Sequence, residues 1–398
     1  MIAWLAALLA AVSPLSPPPA PVDAPAPVSV PAYQIESVRV RYTQFAQNGI
    51  GYQSAAGPPG GPGSERVTID QPQAEVVAHL GDRLTQRIWI PVDVVTAASP
   101  DHSRYGKPID SPVDAVSTPS RINVAGSLDT LSTYRWSATT DVDFRAALHL
   151  EEPFESWSFG LGVTRSLAED NTVVGASVNQ VVDWFDHFDL EGTRHSRASR
   201  STTNLNLSLT QLLSPTTVAA ISYGGTVQLG TLTNTWNSVL LADGDRGEER
   251  MPRHRQRHAL AGRVAQWLPW QGALKLYYRA YLDDWGIGAH TAEADLAQRV
   301  VSWLHLRATY RYHRQRATRY FTTSADPGAT GFRTADSDLD AFHAQTVGGA
   351  VSLDLPTPKN RYVTRYVKDL HAEIGYEYYF RSNHLTVDIT TCALGFGF

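Results

Sequence analysis

From residue 33 to the C-terminus the sequence alternates apolar and polar side chains with a period of two, in runs of about 11 to 15 residues. Leu304, Leu306, Ala308, Tyr310 and Tyr312 share one face of such a run, and His305, Arg307, Thr309, Arg311 and His313 share the other. Leu205, Leu207 and Leu209 stand against Asn204, Asn206, Ser208 and Thr210 in the same way. A period of two is the period of a β-strand with unlike faces. A soluble sandwich also has one apolar face per strand, so alternation alone does not choose an architecture. Length does: soluble strands average about 5 or 6 residues, whereas a tilted strand needs about 9 to 11 to cross hydrocarbon.

The pattern divides into sixteen strands, at 33–47, 66–80, 83–97, 121–131, 136–149, 156–167, 172–187, 202–213, 217–232, 255–267, 272–285, 288–301, 303–317, 342–355, 367–381 and 384–398. Tight links fall at 81–82, 132–135, 168–171, 214–216, 268–271 and 301–302, and long ones at 48–65, 98–120, 188–201, 233–254 and 318–341. Short and long links therefore collect on opposite ends, with exceptions at 286–288 and 356–366. Hydrocarbon offers no hydrogen bonds, so the first and last strands must pair. The predicted fold is all-β, a transmembrane antiparallel up-and-down barrel of about 16 strands, with both termini on the periplasmic side because the count is even. Two residues sit awkwardly. Asp388 shares the lipid-facing side of its strand with Phe396 and Phe398, which calls for a register-shifting bulge, and Pro72 calls for a bulge or a rim position.

The ends carry further signals. Ile2–Val12 is an apolar run of signal-peptide length, too short to span a bilayer. Residues 1–24 are read as a signal peptide, with cleavage somewhere between residues 20 and 32, and 25–32 as a Pro/Ala-rich tether. No basic residue precedes Arg39. The barrel occupies 33–398. At the other end TTCALGFGF places Leu394, Phe396 and Phe398 on one face, and a terminal Phe closing an alternating strand resembles the signal read by the machinery that assembles outer-membrane barrels. Cys392 is the sole cysteine, which excludes an intrachain disulfide and a cysteine-based zinc site. A formal charge of −5 offers nothing to nucleic acid.

The stretch LKLYYRAYLDDWGIGAHTAEADL, from Leu274 to Leu296, shows the wall in miniature. Leu274, Leu276, Tyr278, Ala280 and Leu282 are expected toward lipid, the Gly-Ile-Gly reverses the chain at the outer rim, and Trp285 joins an aromatic girdle there. The charged residues expected to line the lumen are Lys275, Arg279, Asp283, Glu293, Asp295, Arg299, Arg307, Arg311, His371, Glu373 and Glu377. Opposite charges on neighbouring strands stabilise pairing by roughly 0.2–1 kcal/mol each and can also form a selective constriction.

Within this hairpin the run RAYLDDWGIGAHT, Arg279–Thr291, with RATYRYHRQR (Arg307–Arg316) and WSFGLGVTRSLAEDNTVV (Trp157–Val174), resembles an uncharacterised family of outer-membrane barrels, a domain of unknown function with the core R-x-Y-x-D-x-W-G-I-x-A-H-T. Here that core is Arg279, Tyr281, Asp283, Trp285, Gly286, Ile287, Ala289, His290 and Thr291. The resemblance covers Val67 to Phe398 and implies a barrel and its location. It carries no established activity and assigns no catalytic residue.

Other chemistry is weaker. His290, His305, His313 and His371 are read as inward or near the rim, and His371 precedes Glu373 on one face, but no spacing matches a metal-ligand motif. Asp336, Asp338 and Asp340, and the acidic run at 242–249, lack the glycine and final glutamate of a calcium loop and are read as solvated. No G-x-S-x-G occurs. His195 and Ser196 lie among Arg194, Arg197 and Arg200 in what reads as a loop, a basic patch suited to lipopolysaccharide phosphates. The sequence thus predicts no catalysis, cofactor or metal. It predicts a barrel in the outer membrane of a Gram-negative-type bacterium, bounded by lipid, that passes small polar solutes through a mixed-charge lumen. The alternatives are a non-conducting barrel that seats a periplasmic or surface partner and, less favoured, an outer-membrane enzyme.

Overall fold

A computed structural model of the chain describes residues 33–49, 67–97, 122–152, 154–188, 194–234, 238–355 and 367–398. The expected signal and tether, and the links at 50–66, 98–121 and 356–366, lie outside the described residues. The described residues form eighteen strands: β1 (Gln34–Gly49), β2 (Val67–Leu80), β3 (Leu84–Ala97), β4 (Ile122–Ser137), β5 (Thr140–Glu151), β6 (Phe154–Leu167), β7 (Thr172–Phe188), β8 (Arg194–Ser214), β9 (Thr217–Gly230), β10 (Ser238–Leu240), β11 (Arg246–Glu248), β12 (His254–Leu268), β13 (Gly272–Asp283), β14 (Gly288–Val301), β15 (Leu304–Gln315), β16 (Phe342–Leu355), β17 (Asp369–Arg381) and β18 (Leu385–Gly397). Sixteen of them form one closed antiparallel barrel, while β10 and β11 make a small hairpin of their own. Closure runs from Ser37 opposite Gly397 to Gly49 opposite Leu385, and Phe398 donates its N–H to the Glu36 carbonyl at 2.9 Å. Among the described residues the barrel itself has no edge strand, as a wall standing in hydrocarbon requires.

Two link boundaries differ from the sequence reading. Residues 132–135 are not a turn: β4 continues to Ser137 and reverses at 138–139. The expected loop at 188–201 is largely strand, because β8 starts at Arg194. Both faces of this ribbon are polar, which hides its period, yet Arg194 pairs with Asp186 at 2.7 Å, Arg197 with Glu155 at 2.6 Å and Arg200 with Asp183 at 2.6 Å.

The two faces separate by parity. Phe45, Val67, Ile69, Phe342, Ala344, Leu385, Val387 and Ile389 are buried; Phe45 shares its strand face with Arg39 and Arg41, Val67 and Ile69 with Glu75, and Phe342 and Ala344 with Asp354. That face is the interior of the barrel. The other face exposes Leu260, Leu276, Leu394, Val347, Phe159, Ile374 and many more large apolar side chains, a surface that water disfavours and acyl chains accept. At the end with the short turns, Trp136, Trp270 and Trp303 are 70%, 62% and 54% exposed. They form an aromatic girdle of the interfacial kind.

Asp388 keeps the outward face without a bulge. Its strand pairs in one unbroken register, Asp388 opposite Ala46 and Tyr378, and the Tyr376 hydroxyl donates to its carboxylate. Pro72 likewise sits inside β2, opposite Tyr42. The ladder to β3 resumes at Gln73 opposite Pro91 in the same register it held at Asp70 opposite Val94. The missing N–H is absorbed by a gap in hydrogen bonding rather than by an inserted residue.

Candidate functional site

The inner wall is the candidate site, and cross-strand register assembles it. On β14, Glu293 lies opposite Arg311 and accepts from it, with Nη2 and Nε both 2.6 Å from Oε2. Asp295 accepts from the Thr309 hydroxyl at 3.0 Å, and Arg307 Nε stands 3.8 Å away. Elsewhere on this face Arg87 pairs with Glu75 and Arg145 with Asp129. Lys275, Arg279 and Arg299 face inward on β13 and β14, and no carboxylate oxygen among the described residues comes within 4 Å of them. Glu373 and Glu377 face inward on β17, and Glu373 accepts from the Ser352 hydroxyl at 3.1 Å.

The histidines divide. His305 and His371 face inward, and both contact Asp354, His305 Nε2 at 3.0 Å from Oδ2 and His371 Nδ1 at 3.0 Å from Oδ1. The partner of His371 is thus Asp354 rather than Glu373. His313 faces inward beside Thr291. His290 is near the rim and not inward: it lies opposite Ala280 on the outward face, its ring stacked on Tyr278, whose hydroxyl is 2.7 Å from Nδ1. Among the described residues no group of three His, Cys, Asp or Glu side chains is placed to hold a metal ion.

The motif hairpin is a buried clamp. Asp283 does not line water; its side chain is fully buried. Oδ2 accepts from Arg255 Nε at 3.0 Å and Nη2 at 2.5 Å and from the Tyr281 hydroxyl at 3.0 Å, while Oδ1 accepts the Ile287 N–H at 2.8 Å. The reversal needs Gly286, whose φ is +97°. Trp285 is not a girdle residue. It is 3% exposed, Arg255 lies over its ring at 4.2 Å, Nε1 donates to the His254 carbonyl at 3.0 Å, and Tyr320 packs edge-on against it. Arg255 gave no periodic signal that would set it apart; only the fold brings it to Asp283.

Two loops interlock at this mouth. Residues 231–253 carry the β10–β11 hairpin, and 316–341 carry a 3-10 turn, Ser337–Leu339. Bridges join Leu241 to Ala325 and Arg250 to Arg333. Buried Glu249 accepts from the Asn234 N–H at 2.6 Å and the Thr334 hydroxyl at 2.5 Å. The second loop is tied to the wall at both ends. The Trp285 carbonyl accepts from the Thr318 hydroxyl at 2.9 Å and the Arg319 N–H at 3.0 Å. Inward-facing Gln315 donates to the Asp338 and Asp340 carbonyls, and inward-facing Arg381 donates to Asp338 Oδ1 at 2.5 Å and to the Ser337 hydroxyl at 3.1 Å. Asp336 and Glu249 are thus buried rather than solvated, and Asp338 holds Arg381 while staying partly exposed; Asp243 and Asp245 are exposed. Burial pushes the Asp340 carboxyl above the usual carboxylate range, against the opposing pull of the Ala341 N–H and Arg381. Burial, helped by Arg250, lowers Arg333.

The RHSRASR patch is largely neutralised, since each of its three arginines holds a carboxylate. His187, His195 and Arg253 line a polar cavity of about 410 Å³ beside it.

The family described as "Protein of unknown function (DUF3570)" matches residues 180–391, a span that takes in the motif hairpin, both interlocked loops and all of β12 to β17. No curated protein matches the sequence. Among solved structures, a bacterial polysaccharide outer membrane secretin aligns with a TM-score of 0.46 at 9% identity, covering 91% of this chain and 98% of that one. OpdK of Pseudomonas aeruginosa, solved with vanillate, gives 0.44 at 7% identity over 92% and 98%. A BenF-like porin from Pseudomonas fluorescens Pf-5 gives 0.44 at 8% over 92% and 99%. The family match spans more than half of the chain, and the chain belongs to the family of proteins of unknown function DUF3570.

Proposed function

We propose that this barrel stands in the outer membrane of a Gram-negative-type bacterium, termini toward the periplasm, and passes small polar solutes through its lumen. One observation carries the reading. Sixteen strands close a wall whose outer face is apolar and exposed and whose inner face holds paired and unpaired charges. A wall of that circumference leaves an aqueous bore unless something fills it, and charges lining such a bore decide what passes. Reconstitution into planar bilayers tests this: stepwise conductance is expected. A barrel that refolds in detergent, inserts and stays electrically silent would overturn it.

A second reading is favoured by the interlocked loops. Their attachments run from β12 to β17, six neighbouring strands of the sixteen, and hold to inward-facing side chains at the mouth. A barrel capped in this way could seat a periplasmic or surface partner without conducting. Electrical silence together with stoichiometric co-purification of one partner would favour that reading.

A further inference from the structure

We propose that the inner wall formed by β12 and β13 is a track for small oxyanions, carboxylates and phosphates alike; this specifies the solute class of the channel proposed above and rests on that reading. Register places Ala261 opposite Arg279, Arg263 opposite Tyr277, and Ala265 opposite Lys275. All six face inward. Moving from the mouth toward the termini, cations therefore recur at successive inward positions: Arg279, then Arg263, then Lys275. Successive inward positions are about 7 Å apart along a strand, less than the screening length of about 8 Å at physiological salt. An anion leaving one cation is already in the field of the next.

Three features leave these cations without a contacting carboxylate partner and free to take an anion. No carboxylate oxygen among the described residues lies within 4 Å of Arg263, Lys275 or Arg279. The acids on the adjoining β14 are engaged from the β15 side: Glu293, opposite Tyr277, is held by Arg311, and Asp295, opposite Lys275, accepts from Thr309 through Oδ2 with Arg307 Nε 3.8 Å away. On the other side, the inward neighbours on β9 are small: Ser222 lies opposite Ala261 and Ala220 opposite Arg263. They leave room beside the guanidinium groups and bring no charge.

Aromatic rings orient the cations. Arg263 lies over the Tyr277 ring at 5.6 Å, and Arg279 over the Tyr281 ring at 5.5 Å. A guanidinium held on a ring face keeps its N–H edge available, and that edge matches two coplanar oxygens of a carboxylate or phosphate. Other lumen arginines such as Arg311 and Arg87 already hold a carboxylate.

The test uses the R263Q/R279Q double variant of the full chain. Neither arginine has an ion-pair partner to abandon, so the double variant is expected to fold, checked by its heat-modifiable migration. In bilayers under a potassium chloride gradient, the chloride-to-potassium permeability ratio is expected to fall at least about twofold in the variant. An unchanged reversal potential would overturn the track. Chloride-35 NMR line broadening in detergent reads the same site without conduction. The wild type should show excess broadening that acetate and inorganic phosphate displace, and the variant should lose it. Displacement by only one of them identifies which oxyanion the track takes. Equal broadening in both proteins, or displacement by neither, overturns the proposal. Broadening lost in the variant while wild type never conducts would sink the channel and leave the track standing.

Discussion

Arg255 and Asp283 form an ion pair sealed from water: Nη2 donates to Oδ2 at 2.5 Å, and the two side chains are 8% and 0% exposed. The carboxylate has four donors in all, so its desolvation is offset by bonds rather than by water. Removing one partner of such a pair leaves an uncompensated buried charge, at a cost of about 3–5 kcal/mol. The Asp283→Leu variant is therefore expected to lose that much stability, measured by urea unfolding in detergent. The R255M/D283L double variant should recover part of it, because replacing both members with apolar groups removes the stranded charge. Full stability in the single variant would show that the clamp is decorative.

The bond from Arg381 to Asp338 and Ser337 is where the second mouth loop grips β17. If this loop narrows the bore, loosening it should enlarge the current. In the S337A/D338A variant the mean unitary conductance is expected to rise while the barrel still closes, since both residues lie outside the barrel ladder and loosening the loop opens Arg381 to water. Equal conductance in variant and wild type would place the narrowest point below the loop.

Asp340 offers a titration of the same loop. Its carboxyl is pushed up by burial, so the folded state holds the proton more tightly than the unfolded chain does. The penalty is fully present above the raised pKa and is relieved as pH falls through it. Asn at this position keeps an acceptor for the Ala341 N–H, now 2.6 Å from Oδ1, and carries no charge. Limited proteolysis within 316–341 should be slower in Asp340→Asn at pH 7.5, with the difference shrinking at acid pH. Faster cleavage at pH 7.5 would contradict it.

Much of the wall was legible because each side chain answers to one of two solvents. Leu276 and Lys275 are neighbours in sequence and face opposite media, so a count of two places them. Where a third environment intervenes, the count misleads. Asp283 has the parity of a lumen residue, yet the mouth is packed with loops, and the carboxylate serves the hairpin rather than the water. Tryptophan favours the interfacial layer, so the sequence points Trp285 there; the loop residues Thr318, Arg319 and Tyr320 that bury it lie far along the chain. His290 was recoverable, since it sits opposite outward-facing Ala280. The Arg194 end of β8 was not, because a strand polar on both faces has no hydrophobic period to read. Arg263 fell within a predicted strand, but only register puts it beside Tyr277 and Arg279.

Tyr376 and Asp388 share the outward face, where a carboxylate in the proposed bilayer setting would have little water to turn to. The hydroxyl is the donor that makes the charge tolerable there, and leaving a polar group without its partner costs about 1–3 kcal/mol. Tyr376→Phe is expected to lose stability in that range, whereas Y376F/D388L should regain it. A Tyr376→Phe protein with wild-type unfolding would mean that Asp388 draws its solvation from headgroups instead.

Cys392 gives the membrane assignment its most direct test, since it is the sole cysteine and is exposed on the outward face. It lies opposite Tyr42 on one side and Ile374 on the other, two residues from Leu394. A side chain there should touch acyl chains if the apolar belt is immersed. A fluorophore attached to Cys392 in the wild-type sequence is expected to be quenched by brominated acyl chains in reconstituted vesicles and to resist aqueous iodide. Strong iodide quenching with no response to the brominated lipid would place this face in water and remove the basis for a membrane-spanning wall.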